Sequence, residues 1–427
     1  LAQHAATDAL LRFIEASPTP FHAVAALEAD LLGLGAAPFP DDAETSAAPE
    51  SLHYLVRGGG SLLAFRLPSR PSPSTWRFQI LTAHTDSPCL KLKPLPADSG
   101  QGYRQWGVEI YGGVLLNSWL DRDLGVSGRI MRLDKPQDAP LLVRLPTPPL
   151  RIPQLAIHLD RQVNEQGLVL NPQRHMVPIT GLEGNASALQ DLIESAGGAP
   201  IKDLAWDLFL HDMSKPCYGG VNQEFIYAPR LDNLAMCHAA FSAFAAAPAH
   251  AEAVQAIALF DHEEIGSGSA RGAESPLLAH TLERLTSAMG LNRSAYLAAL
   301  PRSFLLSADM AHALHPNYPE RHEPAHYPLM NRGPVLKQNA AQRYAGDAVT
   351  TARFLAACRR LGITAQHFIN RADMGCGSTL GPILAAGTGM PTVDVGNAML
   401  SMHSCREMAG ADDPAIMTAV MREILIA

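Results

Sequence analysis

No two of the six cysteines (Cys89, Cys217, Cys237, Cys358, Cys376 and Cys405) form a C-x-x-C pair. A thiolate zinc site needs that spacing and a disulfide scaffold needs denser cysteine, so neither is expected. Six free thiols in a reducing cytoplasm are the expectation. There is no run of about 18–20 apolar residues, the length a membrane-spanning helix requires. The first twenty residues, LAQHAATDALLRFIEASPTP, lack a basic start and a long apolar stretch, so they do not read as a secretory signal. Positive charge is in short supply: Lys+Arg number 33 against 41 Asp+Glu, a net charge of -8. The total shows no basic footprint of a nucleic-acid binder. Charged residues are only 17% and hydrophobic residues 47%, which excludes a mainly disordered chain. Familiar catalytic motifs are missing too. H-E-x-x-H fails at His262-Glu263-Glu264-Ile265-Gly266, and no G-x-S-x-G elbow occurs. Gly375-Cys376-Gly377-Ser378 lacks the lysine of a phosphate loop and reads as a tight turn before a helix.

What is present is length and rhythm. At 427 residues the chain exceeds the roughly 250–300 that one hydrophobic core supports, so a division is expected. Strand-like runs occupy 54–56, 62–67 and 78–83, after two helical stretches at the N-terminus. From Asp232 onward helices and strands alternate: LDNLAMCHAAFSAFAA, AVQAIALF, SPLLAHTLERLTSAM, FLLSA, GDAVTTARFLAACRRLG, QHFIN, PTVDVGN and DPAIMTAVMREILIA. That alternation predicts a three-layer α/β/α sheet. Between these blocks lies a stretch rich in short strands and proline, with one short helical piece near 186–195. The fold expected is α/β: a catalytic domain of 1–92 plus 228–427, split by an inserted, mainly β domain over 93–227.

The ionisable residues gather where strands end. FQILTA runs into His84-Thr85-Asp86, and AVQAIALF into Asp261-His262-Glu263-Glu264. FLLSA runs into Asp309, PTVDVGN leads on to His403, and Asp232 precedes a helix. Ligands of open α/β sheets bind beyond the carboxyl ends of the strands. Each group alone has an ordinary role as a surface turn, a solvated pair or a helix cap. Together at one sheet edge they would repel unless a cation lay among them. The mix of imidazole nitrogen and carboxylate oxygen suits zinc, and less selectively manganese or cobalt.

These residues sit in segments that together resemble the M18 metallopeptidases, the aspartyl aminopeptidases. The segments are TAHTDSPCLKLKP, GVEIYGG, DRDLGVSGR, AIHLDRQVN, EFIYAPRLDNL, FDHEEIGS, SADMAHALHPNYPERHE, GPVLKQNAAQRYA, CGSTLGPILA and MHSCREM. The resemblance runs along most of the chain. It implies two zinc ions, one held by His84 and Asp309, the other by Glu264 and His403, with Asp232 bridging. Asp86 would fix the His84 tautomer, and Glu263 would be the general base for the attacking water. A preference for N-terminal Asp or Glu would rest on Lys337, with His312 and Tyr344 as further substrate contacts. His158, which on its own reads as structural, would reach the active site of a neighbouring subunit. The insert would be a dimerisation domain, and dimers would build a tetrahedral dodecamer acting on peptides, away from membranes and nucleic acid. One departure is Gln223, where the family commonly has an acidic residue. A neutral, Leu-type aminopeptidase is the alternative that Lys337 opposes. A mainly structural assembly protein is the one that an intact Glu263 opposes.

Overall fold

AVQAIALF and FLLSA carry no charged residue, which suits strands covered on both faces. They form Ala253–Phe260 and Phe304–Ala308, buried throughout. In this computed structural model, residues 4–40, 46–72, 74–95, 101–146, 150–183 and 188–427 are described. The chain divides into two units. One comprises 1–86, 216–402 and 407–427, and the other 87–215 and 403–406.

The first unit is built on a nine-stranded sheet. Its order is Ala37–Pro38, Leu52–Arg57, Ser61–Arg66, Ala253–Phe260, Arg77–His84, Phe304–Ala308, Thr392–Gly396, Val335–Gln338, Gln366–Ile369. The four strands Ala253–Phe260, Arg77–His84, Phe304–Ala308 and Thr392–Gly396 run parallel. Their side chains alternate between two cores. Leu81, Ala83, Ile257, Leu259 and Leu306 pack under helices Ala5–Ala16, Pro20–Gly33, Leu231–Ala246 and Asp413–Ile426. Phe78, Ile80, Val254, Phe260 and Leu305 pack against Leu277–Ala288 and Leu380–Thr388. The three-layer α/β/α architecture follows from this period-two division. Each fully buried Leu or Phe contributes about 1.5–3 kcal/mol, so the sheet centre is rigid and its ends are held in place.

A smaller sheet in the same unit joins Cys217–Gly219, Phe225–Ala228, Glu407–Gly410, Ala398–Leu400 and Ala311–His312. These strands are two to four residues long, too short for period two to show in sequence, and they are not anticipated above. Their pairing shifts the expected insert boundary. Phe225–Ala228 is antiparallel to Glu407–Gly410, so 216–227 belongs with the first unit rather than with 93–227.

The second unit carries an antiparallel sheet in the order Val108–Tyr111, Cys89–Leu92, Leu204–Asp212, Leu124–Arg132, Leu141–Arg144. Leu90, Trp106, Val126, Ile130, Ile193, Leu208 and Leu210 form its core. Gly128 sits at φ 156° where a Cβ would overlap the Asp207 carbonyl oxygen, so the two central strands can meet only through glycine there. The short helix expected near 186–195 is Ala188–Gly197, and 186–187 lie outside the described residues. Among the described residues no helix is long and apolar enough to cross a membrane.

Candidate metal centre

The parallel register sets the site. Phe260 is level with His84, and Ser307 with Thr82, so three neighbouring strands deliver their following residues to one edge. His84 is 1% exposed. Its Nδ1 lies 3.0 Å from the main-chain oxygen of Asp86 and 3.4 Å from that residue's carboxylate. A proton donated there leaves Nε2 to face the site. Nε2 is 3.4 Å from Asp232 Oδ1, 3.4 Å from Asp309 Oδ1 and 4.0 Å from Glu263 Oε2. Ligand atoms bound at about 2.0–2.1 Å in tetrahedral geometry lie about 3.3 Å apart, so His84, Asp232 and Asp309 already have the spacing of a ligand set. His84, Glu263 and Glu264 form a second group whose donor atoms lie within 4.8 Å of one another.

The electrostatics agree with a cation. Burial alone would depress the His84 imidazole, but Asp232, Asp309, Asp86 and Glu263 outweigh it and hold it well above 6.5. Burial, helped by Asp309, Asp86 and Asp232, raises the Glu263 carboxyl to about 7 against the pull of His84. Glu264 is raised further, by burial and by Asp232. Several buried carboxylates at one point cost several kcal/mol each unless a positive charge joins them. A divalent ion meets that need and reverses these shifts. The donor set of imidazole nitrogen and carboxylate oxygen fits zinc.

Adjacent Glu263 and Glu264 serve one centre because they sit on a 3-10 turn, Glu263–Ile265, rather than a strand. His262 precedes it in the left-handed region, φ 68° and ψ 21°. Four contacts hold that conformation. Arg271 Nη2 donates to His262 Nε2 at 2.7 Å, so the ring's Nδ1 carries the proton toward Ser269 Oγ, 2.6 Å away. His262 N donates to Asp261 Oδ1 at 2.9 Å, and Arg271 Nε lies 3.3 Å from Asp261 Oδ2. A Cβ on Gly60 would overlap the Asp261 carboxylate, so glycine makes room for it. Asp86 then accepts from Glu263 N and Glu264 N, one through each oxygen, at 3.1 Å. Its carboxylate thus anchors the turn that carries both glutamates, a task additional to the expected contact with His84.

Arg271→Ala removes the guanidinium from a carboxylate that is 1% exposed. Breaking such a pair typically costs 3–5 kcal/mol, and partial exposure of Arg271 places the expected loss at about 3 kcal/mol. A lowered urea midpoint at unchanged m-value is the readout. An unshifted midpoint would show that the pair holds nothing.

Asp232 N donates to Glu407 Oε2 at 3.1 Å, and Asn233 Nδ2 to the Ala308 carbonyl oxygen at 2.8 Å. These bonds tie the start of the helix to two other strands and aim Asp232 at His84. No motif marks Glu407, Asn233 or Arg271. Glu407 and Asn233 act through contacts 175 and 75 residues away, for which no local signal exists.

Lys337, 3% exposed, places Nζ 3.1 Å from Asp309 Oδ2 and 5.3 Å from the centre of the Tyr344 ring. Burial and then Cys376 push the Tyr344 phenol up, so it stays protonated. The Phe368 ring stands between Tyr344, 6.1 Å away, and His312, 5.8 Å away. His403 belongs to the segment grouped with the second unit, at φ 67°. Its Nδ1 meets the Gly113 carbonyl oxygen at 2.9 Å, which leaves Nε2 as the lone-pair nitrogen. His158 lies in the second unit on an exposed turn beside exposed Leu155, Ile157 and Leu159.

With this geometry established, the chain was compared with known proteins. A family model described as Aminopeptidase I zinc metalloprotease (M18) matches residues 13–424. A protein of Streptomyces coelicolor named Probable M18 family aminopeptidase 2 is 46% identical over 420 residues, 96% of this chain and 95% of its own. The solved structure of the Ape4 and Nbr1 complex contains a chain with TM-score 0.90 and 37% identity, covering 98% of this chain and 85% of that one. A chain of the S. cerevisiae mApe1 dodecamer gives TM-score 0.82 and 28% identity over 98% of this chain and 96% of its own.

Proposed function

The chain belongs to the M18 family of zinc metalloproteases and is an aminopeptidase, and from that premise we propose that it removes N-terminal Asp or Glu from peptides at a two-zinc centre. The observation that carries this reading is the convergence of His84, Asp232 and Asp309 beside Glu263, with a buried Lys337 bonded to Asp309. In the proposed ligand set His84 and Asp309 hold one ion, Glu264 and His403 the other, and Asp232 is shared. Zinc, when bound, lowers the pKa of a water and polarises the scissile carbonyl.

The rest of the mechanism belongs to the chain's own residues. Glu263 takes a proton from the attacking water and hands it to the leaving amine. Asp86 keeps the Glu263–Glu264 turn aimed, and it orients His84. The Lys337 ammonium provides the fixed positive charge that an acidic first side chain needs, in a pocket walled from water by Tyr344. His312 and Tyr344 contact the substrate from either side of Phe368. His158, exposed together with apolar neighbours, acts on a second copy's substrate, and the 87–215 unit is the assembly module of a dimer that builds a dodecamer. Six free thiols suit work in a reducing cytoplasm.

The test compares kcat/KM for Asp-, Glu-, Leu- and Arg-anilides, with metal analysis on the same sample. Asp and Glu are expected to lead. Lys337→Met should cut the Asp-anilide value about 100-fold or more, because a buried polar contact of this kind discriminates strongly. The Leu-anilide value should hold or rise. A wild-type enzyme that prefers Leu would replace this reading with a neutral aminopeptidase.

A further inference from the structure

A cavity of about 290 Å³ opens beside His312 and Phe368 in the first unit. It borders the proposed first-residue pocket without being part of it. Lys337, Tyr344 and Asp309 do not line it, whereas Phe368 and His312 do. Lys337 and Phe368 are register partners on neighbouring parallel strands, so their side chains leave the sheet on the same face. Phe368 is therefore a shared wall, with the Lys337–Tyr344 corner on one side and this cavity on the other. His312 lies three residues beyond Asp309, so the chain carries the cavity's edge at most about 10–11 Å from that residue.

The wall is soft and apolar. Met374, Met399 and Met402 line it with Ile369 and Leu400. Methionine adapts to varied shapes and packs well on aromatic rings. Two of the charged groups at the rim have close partners, and a third, Arg321, lies 3.9 Å from Glu320 at the exposed edge. Arg371 spends its fork on Asp373 at 2.9 and 2.6 Å and on the Glu320 carbonyl oxygen at 2.6 Å. Glu323 is held by His326 at 2.7 Å. Two imidazoles add donors without charge. His322 Nε2 accepts from His315 N at 3.0 Å, and His315 Nδ1 accepts from Asn317 N at 3.2 Å. Each neutral ring then carries its proton on the other nitrogen. Burial and His315 keep His322 below the usual imidazole value, in line with a neutral ring.

We propose that this cavity is a subsite for the second residue of the peptide and that it selects a large, neutral, apolar or aromatic side chain. This rests on the aminopeptidase reading but not on acid preference at the first residue. The chemistry is additive: Lys337 reads charge at one position, and the methionine-lined cavity reads bulk at the next. The size suits an aromatic side chain, and the Met374, Met399 and Met402 wall favours an apolar one over a second carboxylate.

The test measures kcat/KM on the zinc-loaded enzyme with the dipeptide amides Asp-Gly, Asp-Ala, Asp-Leu, Asp-Phe and Asp-Asp, and with the Leu-Xaa series in parallel. Phe and Leu in second place are expected to exceed Gly by about 10–100-fold, the range that a filled apolar pocket yields. Met374→Asp, at a half-exposed position, should collapse the Phe-to-Gly ratio to near unity. A flat second-residue series, a preference for Asp-Asp, or a Met374→Asp variant that slows every peptide equally would overturn the subsite. The two readings separate because the Leu-Xaa series isolates the second position. Loss of acid preference with a steep second-residue profile overturns Lys337's role and leaves the subsite standing.

Discussion

Glu263→Gln is expected to lower kcat by about 10²–10⁴-fold, the span usual for a positioned general base, while zinc content stays at the wild-type level. Gln keeps the size and the main-chain N–H that Asp86 accepts at 3.1 Å, so the turn has no reason to move. What is lost is the carboxylate proposed to carry a proton from water to amine. Glu264, one residue along, cannot substitute. It is more deeply buried and is proposed to bind metal through the same oxygens a base would need. KM should change little, since the proposed role of Glu263 is toward the reacting water and not the substrate's side chain. Turnover near wild type would remove Glu263 from the mechanism. Loss of zinc together with activity would make it a ligand instead.

Removing the metal is expected to abolish hydrolysis of Asp-anilide and to make stability more steeply dependent on pH than in the loaded enzyme. The sign follows from two groups. Glu263 is raised from the usual 4.5 to about 7. Between those values the folded chain holds a proton the unfolded chain has lost, so stability falls as pH rises. His84 is held well above 6.5. Its contribution is full below 6.5 and is lost as pH rises through the folded value. Both slopes have one sign, so the metal-free Tm should fall steadily from about pH 4.5 through neutrality. With zinc bound, the ion takes over the charge balance, and uptake should release protons into a weakly buffered solution. Equal pH profiles with and without zinc, or full activity after chelation, would refute the metal centre as drawn.

The comparison of sequence with structure separates along physical lines. The buried parallel strands are visible in AVQAIALF and FLLSA because continuous apolar runs have few alternatives in a long chain. Their register then determines where His84, Glu263 and Asp309 arrive. The adjacency of Glu263 and Glu264 points to an irregular turn for the same reason, since a strand would send them to opposite faces. The short strands of the second sheet carry no such signal. Cys217–Gly219 and Ala311–His312 exist only because a partner edge is present, and the pairing of Cys217–Gly219 through Phe225–Ala228 to Glu407–Gly410 is why the second unit ends at 215 rather than at the expected 227.

By itself the sequence determined the class of chemistry: which residue types end the strands, and that acids and imidazoles so placed call for a divalent cation. Tertiary structure decided how each group is held. Nothing local marks Asp86 as the acceptor for two amides 177 and 178 residues away, or Glu407 as the acceptor for the Asp232 amide. Those are contacts between distant segments, set when the sheet closes, and periodicity in a chain reports only on the element that carries it.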